Sequence, residues 1–145
     1  MGVALKLSDS EIADLELAAR LHDIGKIGLD ASLTDLNETV EDQPDDEFKK
    51  HAPIGYYILH SANEYSHIAE YVLAHHERMD GKGYPKGLIG EQIPFQARII
   101  KIANDMELML RKEHRSKEEA LAYLQQNSGT IYDQELVKLL IHIMK

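Results

Sequence analysis

Five side chains with metal-ligand chemistry, His22, Asp23, His51, His75 and His76, fall on the inward faces of three separate stretches of helical periodicity. Imidazoles and carboxylates lose hydration on burial, and each then needs a hydrogen-bond partner or a cation to offset the cost. A fold that tolerates them must bring three helices together around one polar spot in an apolar interior. Helix bundles do this routinely.

The local pattern agrees. Ser8 and Glu11 have capping-box spacing, and Ile12, Leu15, Ala19 and Leu21 then supply an apolar face that runs into His22 and Asp23. Gly25 and Gly28 close that helix, and the acidic stretch from Asp30 to Asp46, broken by Pro44, reads as a long loop. A second helix is expected from Asp45 or Asp46, with Phe48, His51, Gly55 and Ile58 on one face. In a third, Ile68, Val72, His75 and His76 follow i, i+4, i+7, i+8 spacing. Asp80 to Pro85 reads as a tight loop, and Pro94 suits the first turn of a fourth helix in which Asn104 and Glu107 face inward together. Ser116 with Glu119 caps a further helix, and Asp133 caps the last. No segment alternates with period two. The expectation is an all-α bundle of about five to seven helices.

Composition narrows the chemistry. At 145 residues the chain is the size of one domain, expected to span 1–145. It has no cysteine, so any metal must sit among imidazoles and carboxylates, which suits iron, manganese or zinc. No apolar run approaches the length of a membrane span, and a cytoplasmic protein that does not act on membranes is expected. A formal net charge of -9 argues against duplex nucleic acid as a partner. An anionic ligand must then meet a local cationic patch, for which Lys26, Lys82, Lys86, Arg98, Lys101, Arg111, Lys112 and Arg115 are the candidates. One buried histidine is most often a core residue bonded to a carbonyl, but several on converging faces point to an ion. His60, His67, His114 and His142 lie on outer faces or near helix ends and are expected to be solvated.

The segments Ala18 to Ile27 (with His22-Asp23-Ile24-Gly25-Lys26), His51 with Ile54-Gly55, and His75-His76-Glu77-Arg78 with Asp80-Gly81-Lys82-Gly83-Tyr84-Pro85 resemble the HD-GYP subgroup of the HD metal-dependent phosphohydrolases. The double histidine followed by Gly-Tyr-Pro is the specific part. The resemblance implies an HD-domain-like fold and a phosphodiesterase acting on cyclic-di-GMP in bacterial second-messenger signalling. It implies divalent ions, iron or manganese, one or two per site, that activate water for attack on a phosphodiester. By position, His22, Asp23, His51, His75, His76 and Asn104 would form the metal set, with Asp23 bridging. Lys26 would act with Asp23 in catalysis and face a substrate phosphate, and Gly83, Tyr84, Arg111 and Arg115 would also meet the ligand.

The chain departs from that pattern at three places. Asn104 and Glu107 stand where aspartates are usual, the arginine-rich segment is reduced to Arg111-Lys112-Glu113-His114-Arg115, and only Met1 to Leu7 precede the first helix. A domain lacking its first helix, or forming part of a longer protein, is therefore expected. Exposed apolar surface would favour a homodimer. The competing function is a degenerate module that binds cyclic-di-GMP, or a signalling partner such as a diguanylate cyclase or receiver domain.

Overall fold

The computed structural model describes residues 1–34, 38–41 and 44–145. Among these the chain is all-α, with helices α1 (Asp9–Leu21), α2 (Ala31–Thr34), α3 (Asp46–Lys49), α4 (His51–Ser61), α5 (Ala69–Leu73), α6 (Phe95–Arg111), α7 (Lys117–Gln126) and α8 (Gln134–Met144). Five of these eight segments have ten residues or more, and α2, α3 and α5 are single turns. Two isolated bridges, Asp80 with Ile89 and Ser128 with Tyr132, are the extended pairings.

The helix starts follow the local chemistry. Reciprocal capping boxes close at Ser8–Glu11 and Ser116–Glu119, and the Asp133 carboxylate accepts from the Glu135 and Leu136 amides. Each such cap contributes about 1 kcal/mol. Asp45 caps α3 through the Phe48 amide. Pro94 is the N-cap of α6 rather than part of its first turn. The stretch expected as loop between Asp30 and Asp46 contains the short α2; its residues 35–37 and 42–43 lie outside the described residues.

The main core is an apolar cluster in which Leu59, Ile68, Val72, Ile102, Met109, Leu124 and Leu136 are shielded from solvent, and a smaller cluster gathers Ala74, Ile93 and Ala97. Each buried aliphatic side chain of this size contributes roughly 1.5–3 kcal/mol. Around it α1, α4, α5 and α6 pack beside the polar site, α7 packs on α6, and α8 packs on α7. On the outer flank of α1 and α6, Met1, Gly2 and Val3 border an apolar groove with Ile12, Ala103, Leu110 and Leu140. Among the described residues, no helix is long and apolar enough to cross a membrane.

Two expectations are corrected. The third helix ends at Leu73, so His75 and His76 lie in the turn that follows. Successive helical residues diverge by about 100°, and the turn is what lets two adjacent rings reach one point. Glu107 is exposed and pairs with Arg111, outside the interior. Three residues advance about 300°, which turns Glu107 some 60° away from Asn104 on the side opposite the cavity. Asp105 turns the other way and is 4% exposed.

Candidate metal centre

Asp23 lies just beyond α1, at the start of the 3-10 turn Ile24–Gly28. That turn packs on α4 with Gly25 against the His51 backbone. A Cβ at Gly25 would be driven into the His51 carbonyl oxygen, so only glycine permits the approach. Asp23 and His51, far apart in sequence, are brought together there: Asp23 Oδ1 is 3.7 Å from His51 Nε2 and 3.9 Å from His75 Nε2.

Three rings have their tautomers set by the backbone. The Nδ1–H groups of His22, His51 and His75 donate to the carbonyls of Ala19 (2.6 Å), Phe48 (2.7 Å) and Val72 (2.6 Å). A neutral imidazole that donates from Nδ1 keeps a lone pair on Nε2. His51 and His75 are fully buried, and among the described residues the Nε2 of His75 has no hydrogen-bond partner. His76 Nε2 faces His51 Nε2 at 3.0 Å. One donor atom from each of Asp23, His51, His75 and His76 lies within 4.8 Å of the others. Converging lone pairs, an orphaned buried nitrogen and a carboxylate fit a divalent cation, with every imidazole oriented by a second hydrogen bond where one is formed.

The electrostatics point the same way. Burial drives the His75 pKa down to about 3, and burial together with the neighbouring cations depresses His76 and, less far, His51. All three are neutral and ready to donate lone pairs near pH 7. Burial opposes ionisation of Asp23, but His22 and Lys26 outweigh it and hold its pKa well below the usual carboxylate range. His22 behaves differently. Burial works against its charged form, yet the hydrogen bond and charge of Asp23 raise its pKa, and its Nε2 lies 3.1 Å from Asn104 Oδ1 and 3.4 Å from Asp23 Oδ2.

A cavity of about 400 Å³ opens beside the cluster, with His76, Gly83, Tyr84 and Asn104 among its walls. The Tyr84 ring stacks on His76 at 4.7 Å and 17°. Gly83 is placed by backbone packing, because a Cβ there would collide with Glu77 and the Arg78 amide. Glu77, 3% exposed, accepts from the amides of Lys86 (2.7 Å) and Leu88 (2.9 Å) and so ties the Gly-Tyr-Pro loop to the histidine turn. Lys26 Nζ is shared between Asp23 (2.8 Å) and Glu38 (2.7 Å).

Arg111 and Arg115 are not brought to this cavity. Arg111 is 79% exposed beside the apolar groove on the outer flank. Arg115 is engaged by Glu41 (2.9 Å) and Glu113 (2.6 Å), and Glu113 also accepts from the Val40 amide. Its role in the fold is to pin the segment that carries Glu38. The histidines expected on the surface, His60, His67, His114 and His142, are exposed.

Sequence reasoning assigned no site role to Glu38, Glu77, Asp105 or Tyr132. Glu77 could have been noticed from its place directly after the double histidine, and Asp105 from its i, i+4 spacing to Lys101. Nothing local marks Glu38 or Tyr132.

A helical domain whose buried histidines converge with a half-exposed aspartate on a cation-sized space is the class that this fold and site define. The HD domain family matches residues 1–136, and the chain belongs to that family. It is 40% identical over 144 residues to the cyclic di-GMP phosphodiesterase response regulator RpfG of Xanthomonas campestris pv. campestris, covering 94% of this chain and 38% of that protein. With a cyclic di-GMP phosphodiesterase of Thermotoga maritima it shares 33% identity over 147 residues, covering 96% and 39%. A 3'3'-cGAMP-specific phosphodiesterase of Vibrio cholerae is 33% identical over 135 residues, covering 90% and 29%. The chain thus spans less than half the length of these relatives. In fold it is similar to an HDG"Y"P protein from Bdellovibrio bacteriovorus, with TM-score 0.78, 23% identity, and coverage of 99% of this chain and 47% of the other.

Proposed function

We propose that the chain is a metal-dependent phosphodiesterase domain acting on cyclic-di-GMP, with iron or manganese held by Asp23, His51, His75 and His76. The carrying observation is the orphaned Nε2 of His75 within a set of four donor atoms no more than 4.8 Å apart. A divalent ion bound there lowers the pKa of water and neutralises charge developing on phosphoryl oxygens. Asp23 stays ionised at any working pH and faces three imidazoles, which makes it the central carboxylate of the set. The Lys26 ammonium orients Asp23 and is one hydrogen bond from the cavity segment, where it would meet a phosphate oxygen once Glu38 gives way. Tyr84, whose pKa burial raises, stays protonated and offers a flat neutral face next to His76 for a nucleotide base.

A second reading, a module that binds the dinucleotide without turning it over, is favoured by one observation. Asn104 offers His22 a neutral amide oxygen where a carboxylate would anchor another ion. Self-association through the apolar groove, and contact with a cyclase or receiver domain, belong to the same proposal.

The test joins metal analysis of protein purified without chelator to a cyclic-di-GMP turnover assay. His75→Ala with His76→Ala should remove bound metal and turnover together, and His114→Ala should leave both unchanged. Full metal content in the double variant would refute the ligand assignment; bound dinucleotide without turnover would select the second reading.

A further inference from the structure

We propose that Lys101, positioned by Asp105 and Tyr132, is a phosphate-binding ammonium of the cavity on the side of His76, complementing Lys26 on the side of Asp23. The inference rests on the phosphodiester reading of the site and assigns one more residue to it.

Lys101, Asn104 and Asp105 lie on the cavity wall of α6. Asp105 Oδ2 accepts from Lys101 Nζ at 2.7 Å and from the Tyr132 hydroxyl at 2.8 Å, while Oδ1 is 3.3 Å from Asn104 Nδ2. One buried carboxylate thus orients all three groups. The Lys101 side chain is 13% exposed, and Tyr132 is 1% exposed. Lys101 has three ammonium hydrogens; among the described residues one hydrogen bond is formed, to Asp105, and the ammonium also lies 5.7 Å from the Tyr132 ring centroid, which leaves donor capacity for an anion. A buried ion pair is a weak source of stability, since apolar residues of similar volume serve as well, so stability alone does not account for a lysine here. Lys101 lines the cavity together with His76, whereas the Lys26 ammonium is paired with Asp23 and Glu38. The two cations therefore flank different parts of the histidine cluster. A phosphodiester seated over the cluster would meet an ammonium at each end. Asn104, being neutral, leaves that wall without a free negative charge to repel it.

The experiment measures binding of cyclic-di-GMP, and separately of inorganic phosphate, to the metal-loaded protein by calorimetry. Lys101→Gln is compared with Lys101→Arg and with Lys101→Gln combined with Asp105→Asn. The double variant keeps a hydrogen-bonded neutral pair and leaves no uncompensated buried charge, so a folded sample is available if the single variant unfolds. Metal content and thermal unfolding are recorded for each. The expected result is at least ten-fold weaker binding for both Gln variants, substantial rescue by Arg, and unchanged metal content. Binding within two-fold of wild type in the double variant, with only the unfolding temperature altered, would make Lys101 a structural residue and overturn the proposal while leaving the phosphodiesterase reading intact. Phosphate binding that depends on Lys101, without dinucleotide binding, would uphold Lys101 and overturn the choice of substrate. Binding of neither probe by the wild type would overturn both.

Discussion

The Nε2 atoms of His51 and His76 face each other at 3.0 Å. With the Nδ1–H of His51 committed to the Phe48 carbonyl, this nitrogen presents a lone pair to its neighbour. A proton on His76 can bridge the gap, and a cation held by the proposed ligand set would take its place. The core has accepted an arrangement that hydrogen bonding alone satisfies only in part, since the His75 Nε2 beside it has no hydrogen-bond partner among the described residues.

This arrangement makes the metal-free protein acid-sensitive. The folded pKa of His75 is pushed down to about 3, and His51 and His76 are also lowered. Below the unfolded value near 6.5 the unfolded chain takes up protons that the folded chain refuses, so stability falls with falling pH. For His75 the loss is about 1.4 kcal/mol per pH unit, continuing toward pH 3. His22, whose pKa is raised, works in the opposite direction but is one group against three. The urea midpoint of metal-free protein should drop between pH 7.5 and 5.5; a higher midpoint at 5.5 would contradict the burial of these neutral rings.

Gly25→Ala tests the contact that joins Asp23 to His51. Its Cβ would enter the space of the His51 carbonyl, and backbone must move to relieve it. Such overpacking costs about 1–3 kcal/mol or more. Denaturant unfolding should show that loss, accompanied by weaker metal binding as Asp23 shifts. Unchanged stability and metal affinity would mean that the close approach is absent in solution.

Glu38 competes for Lys26. Its carboxylate lies 2.7 Å from an ammonium that also holds Asp23. Glu38→Gln removes the charge and keeps the size, so inorganic phosphate should bind several-fold more tightly, by calorimetry, to the metal-loaded variant. Weaker binding would show instead that Glu38 helps to assemble the site.

Asn104→Asp restores charge next to His22. A carboxylate at this point, 3.1 Å from His22 Nε2, would supply the anionic donor that a second ion requires. Metal stoichiometry by elemental analysis should rise toward two per chain. A stoichiometry unmoved by this change would show that the amide is not what limits occupancy on the His22 side.

The sequence by itself determined the helical class, the capping sites at Ser8, Ser116 and Asp133, a helix start at Asp45 or Asp46, and the inward placement of His51. These features are local: caps and apolar faces are written within four residues, where backbone geometry sets the neighbours. Tertiary structure decided the rest. It ended the third helix before His75, turned Glu107 and Arg111 outward, drew Glu38 onto Lys26, and joined Lys101 and Asp105 to Tyr132. Helical spacing leaves a residue such as Asn104 or Glu107 near the boundary of a face, and which side becomes interior depends on the helices packed against α6. Contacts such as Glu38 with Lys26 or Tyr132 with Asp105 join side chains 12 and 27 residues apart. No local periodicity encodes such a pairing, because it exists only once the close approach at Gly25 and the packing of the core have fixed where each backbone lies.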